Sequence, residues 1–505
     1  MKIAVEGCAH GELEQIYNTL ELIEKRQNIK VDLLICCGDF QATRNVNDLS
    51  SMAVPQKYRQ LCTFYKYYTG KLIAPVLTIF IGGNHEASNH LQELSYGGWA
   101  APNIYYMGLA SVINVGGIRI GGISGIYKPK DYMRGRHEKP PYNEFTKRSI
   151  YHVRQLEVFR LKQLKEPIDI MLSHDWPQGI EKYGNVKQLV KYKPFLKEDI
   201  KEGKLGSIPN RELLHELKPK YWFAAHLHCK FAAIVNHTPT ETDEKEIKIT
   251  KFLSLDKCLP QKRFLQILDI PHDDSKPIDL AYDLEWLSVL HLTNHLLNSN
   301  TNIYYLPGPS VDERYDFTPT DEEKTTVLKM FSNNLIISNN FIKLGNYKTK
   351  TNPQTTKFCN TLRVDDPFAL VLGHWPGYSL FFDKQEDEDS VTDSTYSSFL
   401  NSTVCSNNDN ELNETIETTP KTQFVLPEPK NDTVDINTDG ESLLNNFNIA
   451  TANISTDESK YEDSNIKNNC TSQIFAEENS TNHSPSKKMC LKRRNYLNMN
   501  DNDSE

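Results

Sequence analysis

The sequence predicts a layered α/β fold, and three observations carry that reading. Short apolar runs recur along the first 230 residues, each ending in a polar loop. Helical stretches separate several of them. The runs are apolar throughout rather than alternately, as in strands covered on both faces. KIAVEG (2–7) is the first strand, and an amphipathic helix is expected over 12–28. VDLLICCGDF (31–40) and PVLTIFIGGNHE (75–86) are the next two buried strands. ASVINVGG (110–117) and IRIGGISG (118–125) are bounded by glycines and can pair as a hairpin. IDIMLSHDWP (168–177) and KYWFAAHLHC (220–229) repeat the strand-then-loop form. Between them a helix is expected over 153–165, with Val153, Leu156, Phe159 and Leu164 on its apolar face.

A second, mainly helical unit is expected over 270–383, opening with YDLEWLSVLHLTNHLL (282–297). Residues 384–505 are rich in Asn, Ser, Thr, Asp and Glu. They hold too little apolar surface to offset the entropy of ordering, so a disordered tail is expected. Near its end Lys487, Lys488, Lys492, Arg493 and Arg494 form a basic cluster (487–494) of the kind that directs nuclear import. No apolar run reaches the ~20 residues of a membrane helix, and MKIAVEGCAHGE, with Glu6 and no long apolar stretch, is not expected to act as a secretory signal. The ten cysteines are scattered without paired CxxC spacing, as in reduced thiols of the cytosol or nucleus.

The net charge of −9, taken whole, argues against a nucleic-acid partner. It averages unlike parts. Residues 384–505 hold 23 acidic and 10 basic side chains, whereas 1–383 hold 47 basic and 43 acidic. A slightly basic body carries an acidic tail.

The chemistry is concentrated where the expected strands end. Cys8-Ala9-His10 follows the first, Gly38-Asp39 the second and Gly83-Asn84-His85-Glu86 the third. Ser173-His174-Asp175 and His226-Leu227-His228 follow two later ones. Functional residues of open α/β sheets gather at the carboxyl ends of strands. Imidazoles, a carboxylate and a thiolate suit zinc or iron. A carboxylate such as Asp39 can bridge two ions, and two ions ~3.5–4 Å apart clamp a phosphoryl group. Taken singly, Cys8 is a buried hydrophobe, Asp39 and Asn84 are turn residues and His174 is structural. Five such motifs in this order are better explained by one hydrolytic metal centre.

That order resembles the calcineurin-like metallophosphoesterases, whose pattern is D-x-H, G-D, G-N-H-[DE], H and G-H-x-H. Here Cys8 stands in place of the first aspartate and Ala225 in place of a glycine. The Cys-x-His form resembles one branch, the RNA lariat debranching enzymes. EGCAHGELEQIY (6–17), IFIGGNHEASNHL (79–91), LSHDWPQGI (172–180), YDLEWLSVL (282–290) and NPQTTKFC (352–359) agree with it.

The resemblance covers about residues 1–383 and implies a β-sandwich flanked by helices, with a smaller, mainly helical C-terminal domain. It implies a catalytic domain over 1–269 and a debranching-enzyme domain over 270–383. It implies hydrolysis of the 2′,5′-phosphodiester at the branch point of excised intron lariats. One metal site would use Cys8, His10, Asp39 and His228. The other would use Asp39, Asn84, His174 and His226. The thiolate favours Fe²⁺ or Zn²⁺, with Mn²⁺ a further candidate, and leaves one or two ions open. His85 corresponds to a non-ligand histidine that stabilises the phosphate or protonates the leaving 2′-oxygen. Glu86 is either the group that orients it or a surface carboxylate.

Residues 126–152 form a long polar segment rich in cations and aromatics. Such loops are functional or solvated, and cations with stacking rings suit unpaired RNA. The resemblance assigns lariat recognition here, with Tyr127, Lys128, Lys130, Arg134, Arg136, His137, Tyr142, Arg148 and His152 as candidate contacts. Branched RNA is the implied substrate, spliceosomal or intron-turnover factors are the implied partners, and the nucleus is the implied compartment; no membrane partner is expected. Two other readings share the fold: a phosphoesterase for phosphoproteins or small phosphoesters, and a non-catalytic scaffold. The scaffold would be expected to lose ligands, yet every position keeps a competent donor.

Overall fold

Alternation within the strands decides how they pack, because successive side chains face opposite sides. A computed structural model describes residues 1–238, 247–310, 312–343 and 351–374, with the backbone of Ile449–Ala450. All belong to one unit, Met1–Ile454; the other, Ser455–Glu505, lies outside the described residues, as does the basic cluster 487–494.

In chain order the strands are β1 (Lys2–Glu6), β2 (Leu33–Cys36), β3 (Leu77–Phe80), β4 (Gly98–Ala101), β5 (Ile104–Tyr106), β6 (Ala110–Val115) and β7 (Ile118–Ile123). They continue with β8 (Ile170–Ser173), β9 (Tyr221–Ala224), β10 (Phe231–Asn236), β11 (Ile249–Ser254), β12 (Leu265–Asp269), β13 (Leu280–Tyr282) and β14 (Ile449–Ala450). The principal helices are α1 (Leu13–Gln27), α2 (Gln155–Lys162), α3 (Ile208–Leu217), α4 (Leu284–Leu292), α5 (Asp321–Met330) and α6 (Pro353–Leu362).

Two seven-stranded sheets result, in the orders β14-β12-β1-β2-β3-β5-β4 and β10-β11-β9-β8-β7-β6-β13. In the first, β1, β2, β3 and β5 run parallel, and β12 and β4 pair antiparallel. In the second, β11, β9, β8 and β7 run parallel, and β6 and β7 form the expected hairpin.

The sheets face each other. Ile3, Val5, Leu33, Ile35 and Ile79 of the first meet Ile118, Ile120, Ile170, Leu172 and Phe223 of the second. The intervening residues Ala4, Leu34, Cys36 and Phe80 point outward under α1, which buries Leu13, Ile16, Leu20 and Ile23 on them. The outer face of the second sheet, with Val112, Met171 and Trp222, is covered by α2 to α6. This is the β-sandwich flanked by helices, and it explains why the strand runs are apolar throughout.

The described residues beyond 270 are not all helical. Residues 280–282 add β13 to the edge of the second sheet, and the helix expected over 282–297 is Leu284–Leu292. Trp286, Leu290, Phe358 and Leu362 then join the same core as α2 and α3. Of the expected tail, only Ile449–Ala450 is described, as a short strand antiparallel to β12. No helix among the described residues is long and apolar enough to cross a membrane.

Candidate metal centre

The parallel strands β1, β2 and β3 end side by side, and so do β8 and β9 across the sandwich. The turns that follow them deliver Cys8 and His10, Asp39, Asn84 and His85, His174, and His226 and His228. Four of these residues, His10 (φ 45°), Asp39 (46°), His226 (61°) and His228 (48°), hold left-handed backbone. Non-glycine residues adopt it at a cost, and such strain gathers at functional sites. Two glycines make the approach possible. A Cβ on Gly38 would strike the His174 ring, and one on Gly83 would strike Asp39.

One donor from each of Cys8, His10, Asp39 and His228 lies within 4.8 Å of the others. His10 Nε2 is 3.1 Å from His228 Nε2 and 3.7 Å from an Asp39 carboxylate oxygen. Cys8 is fully buried, and its Sγ accepts from the His226 backbone N–H at 3.2 Å. Burial, then Asp39 and Glu6, push its thiol well above the ordinary range. Burial brings His10 down to about 3 and lowers His228 further, so both imidazoles are neutral donors. A cation is the species that this packed set of thiol, carboxylate and neutral imidazoles can hold.

The second expected set adjoins it through Asp39. His174 Nδ1 donates to the Cys37 carbonyl at 2.8 Å, which turns Nε2 toward Asp39 Oδ1 at 3.2 Å. His226 packs edge-on against His174, with ring centroids 5.0 Å apart. Asn84 Oδ1 is buried without a hydrogen-bond partner among the described residues. Buried polar atoms are rarely left so, and with His174 Nε2 it offers two donor atoms suited to a second ion beside Asp39.

His85 lies at the rim, its side chain 30% exposed, with Nδ1 3.3 Å from Asp39 Oδ2. Its backbone N–H donates to Asp39 Oδ1 at 2.8 Å. Desolvation opposes its charge, but Asp39 outweighs that and raises its pKa. Glu86 is not a surface carboxylate. It is buried and accepts from the backbone N–H groups of Phe40, Gly83 and Gln41 at 2.8–2.9 Å, tying the turns after β2 and β3 together.

Residues 1–230 match the family model described as calcineurin-like phosphoesterase. Residues 247–367 match the one described as lariat debranching enzyme, C-terminal domain. The chain is 54% identical over 423 residues to the lariat debranching enzyme of Drosophila pseudoobscura pseudoobscura, covering 74% of this chain and 78% of that one. This chain belongs to the lariat debranching enzyme family. Its human relative is 54% identical over 379 residues, covering 72% of this chain and 70% of that one. The Arabidopsis thaliana relative is 55% identical over 296 residues, covering 59% and 69%.

In this debranching-family chain the 126–152 segment is pinned at both ends. Ile126 bridges His152, and the Gly125 N–H donates to the Gly82 carbonyl at 2.8 Å, beside Gly83 and Asn84. Two one-turn helices, Pro129–Tyr132 and Thr146–Ser149, interrupt it. Lys128, Lys130 and Arg148 are exposed, and Arg134 and His137 are partly so. Tyr127 packs edge-on against Tyr132, and the Tyr142 hydroxyl donates to Gln92 at 2.6 Å.

Two expected RNA contacts point inward instead. Arg136 Nε meets Glu157 at 2.9 Å, and buried His152 meets Asp131 at 2.7 Å. The carboxylate that captures Arg136 lies on α2, outside the segment, so loop composition could not reveal it. The C-terminal residues also hold this loop: Gly135 N–H donates to Asn300 O and Arg136 N–H to Asn298 O, both at 3.0 Å.

Sequence reasoning misses the turn between β11 and β12. It flanks Cys8: Cys8 N–H donates to Asp256 O at 3.4 Å and Cys258 N–H to Cys8 O at 3.0 Å. Its signal was the cation-rich DKCLPQKR (256–263) after an apolar run.

Proposed function

We propose that this chain is a metal-dependent phosphodiesterase that hydrolyses the 2′,5′ linkage at the branch point of excised intron lariats. The observation that carries the proposal is the Cys8, His10, Asp39 and His228 tetrad, with its cysteine, in a chain of the debranching family. These four residues would hold one divalent ion. Asp39, Asn84, His174 and His226 would hold a second. The thiolate favours Zn²⁺ or Fe²⁺, with Mn²⁺ next. When bound, such an ion would stabilise charge on the phosphoryl oxygens and acidify the attacking water.

The protein's own part is positioning and proton supply. His85, held at the rim by Asp39, donates its proton to the 2′-oxygen as the phosphorus–oxygen bond breaks. The branch adenosine leaves with a 2′-hydroxyl, and the released arm keeps a 5′-phosphate. Lys128, Lys130, Arg134 and Arg148 engage RNA phosphates, and Tyr127 offers a ring for stacking. A lariat substrate puts the chain in the nucleus, with spliceosomal or intron-turnover factors as neighbours.

The test presents the full chain with a branched RNA, a phosphopeptide and a small aryl phosphate, each with Zn²⁺, Fe²⁺ or Mn²⁺. Turnover of the branched RNA alone is expected. Comparable turnover of the phosphopeptide would indicate a general phosphoesterase. No turnover in any metal would indicate a scaffold.

A further inference from the structure

We infer that the turn between β11 and β12, with two neighbouring lysines, forms a second RNA-backbone surface that takes one arm of the branched substrate. It lies on the Cys8/His228 side of the metal centre, away from the recognition loop. The inference rests on the debranching reading.

The two halves of the ligand set have different neighbours. The Asn84 and His174 half adjoins 124–127: Gly125 hydrogen-bonds Gly82, and the Tyr127 N–H donates to Asp175 Oδ2 at 3.4 Å. The Cys8 and His228 half adjoins the β11–β12 turn. Lys257 bridges Cys8 in parallel register, and the Gly7 N–H donates to the Phe264 carbonyl at 3.0 Å. Backbone hydrogen bonds on both sides of Cys8 fix the turn against the first candidate ligand.

The surface is strongly cationic. Lys193 and Lys262 neighbour Lys257, which stands in register with Cys8. Lys230, two residues after His228, donates to Gln266 Oε1 of β12 at 2.7 Å. Across 193, 228–230 and 255–263 there are five cations and one carboxylate, Asp256. Asp256 is buried and meets Lys262 at 3.5 Å. Lys262 is 47% exposed and Arg263 is exposed. Like charges gathered beside a cleft raise the local concentration of a polyanion and are relieved by it.

A branched RNA supplies what this arrangement needs. Three phosphate backbones leave one adenosine in different directions, and a single basic loop on one side of the cleft can follow only part of them. Cations on both sides let two arms be held apart while the 2′ linkage sits between them.

The experiment uses the full chain and a branched RNA, with each of its three arms shortened in turn. The double variant Lys262→Ala/Arg263→Ala should flatten the slope of log affinity against log salt by about 1.4, since each single-strand phosphate contact contributes ~0.7. The variant should also lose its sensitivity to shortening one particular arm. An unchanged slope overturns the inference. So does a loss that is the same for every shortened substrate. The single variant Arg263→Gln repeats the measurement with a smaller perturbation, should the double variant unfold. An uncleaved single-stranded RNA reports the slope independently of turnover. Failure to cut the 2′ linkage with an altered slope therefore sinks the debranching reading, whereas cutting with an unaltered slope sinks only this surface.

Discussion

Asp39 is the residue on which the candidate centre turns. It lies in both expected ligand sets, holds His85 through backbone and ring, and keeps its carboxyl well below the usual range despite desolvation because His174 and His85 pair with it. The space around it is made by Gly83, whose missing side chain leaves room for the carboxylate. Gly83→Ala should therefore displace Asp39, lower bound metal and cut turnover by ~100-fold or more, the cost of misplacing reacting groups by about 1 Å. Metal analysis of the purified variant beside its rate checks this. His85→Ala should behave differently. If His85 supplies a proton rather than a ligand, metal content stays at the wild-type level and turnover falls by roughly 10²–10⁴-fold. A fall in metal content would make it a ligand. At this scale the donor types were legible in the sequence because each follows a strand end. The left-handed backbone of His10, Asp39, His226 and His228 was not, since nothing in the residue types demands it. Glu86 shows the same limit: its three backbone partners belong to turns that meet only in the folded sandwich.

At the scale of elements, what the 126–152 segment shows to solvent depends on what it buries. Arg136 pairs with Glu157 of α2, and buried Arg154 pairs with Glu138 at 2.6 Å. Removing one member of a buried ion pair strands the other, so Arg136→Ala should destabilise the protein by about 3–5 kcal/mol. Its effect on RNA binding would follow from that loss. Lys128→Ala/Lys130→Ala, on exposed positions, should leave the denaturation midpoint unchanged and flatten the salt dependence of RNA affinity. A destabilised lysine variant, or an undisturbed Arg136 variant, would contradict this division.

The C-terminal segments also acquire a physical role. In YDLEWLSVL, Asp283 caps α4 and pairs with Arg119 of β7 at 2.7 Å, while Glu285 pairs with the same guanidinium at 2.8 Å. In NPQTTKFC, Gln354 exchanges hydrogen bonds with the Trp99 backbone of β4 at 2.9 and 3.0 Å. These contacts span more than 150 residues of chain, so the segments could be recognised as family features but their partners could not be deduced.

For the whole molecule, the strands within 2–7, 31–40, 75–86, 110–125, 168–177 and 220–229 were readable because continuous apolar runs mean strands buried on both faces, which two facing sheets with helices outside provide. The pairing of the sheets, β13 on an edge and the β11–β12 turn against Cys8 were not, because each depends on distant register. Charge follows the same rule. The net −9 says nothing of the substrate, whereas its distribution puts exposed Lys128 and Lys130 in the segment that adjoins Gly82 and the 256–263 cations in the turn that adjoins Cys8. The most direct test of the central claim is cleavage of an RNA in which one adenosine carries both a 2′,5′ and a 3′,5′ linkage. Release of the 2′ arm alone, leaving an intact 3′,5′ strand, is the predicted result. Equal cutting of both linkages, or none with Fe²⁺, Zn²⁺ or Mn²⁺ supplied, would contradict it.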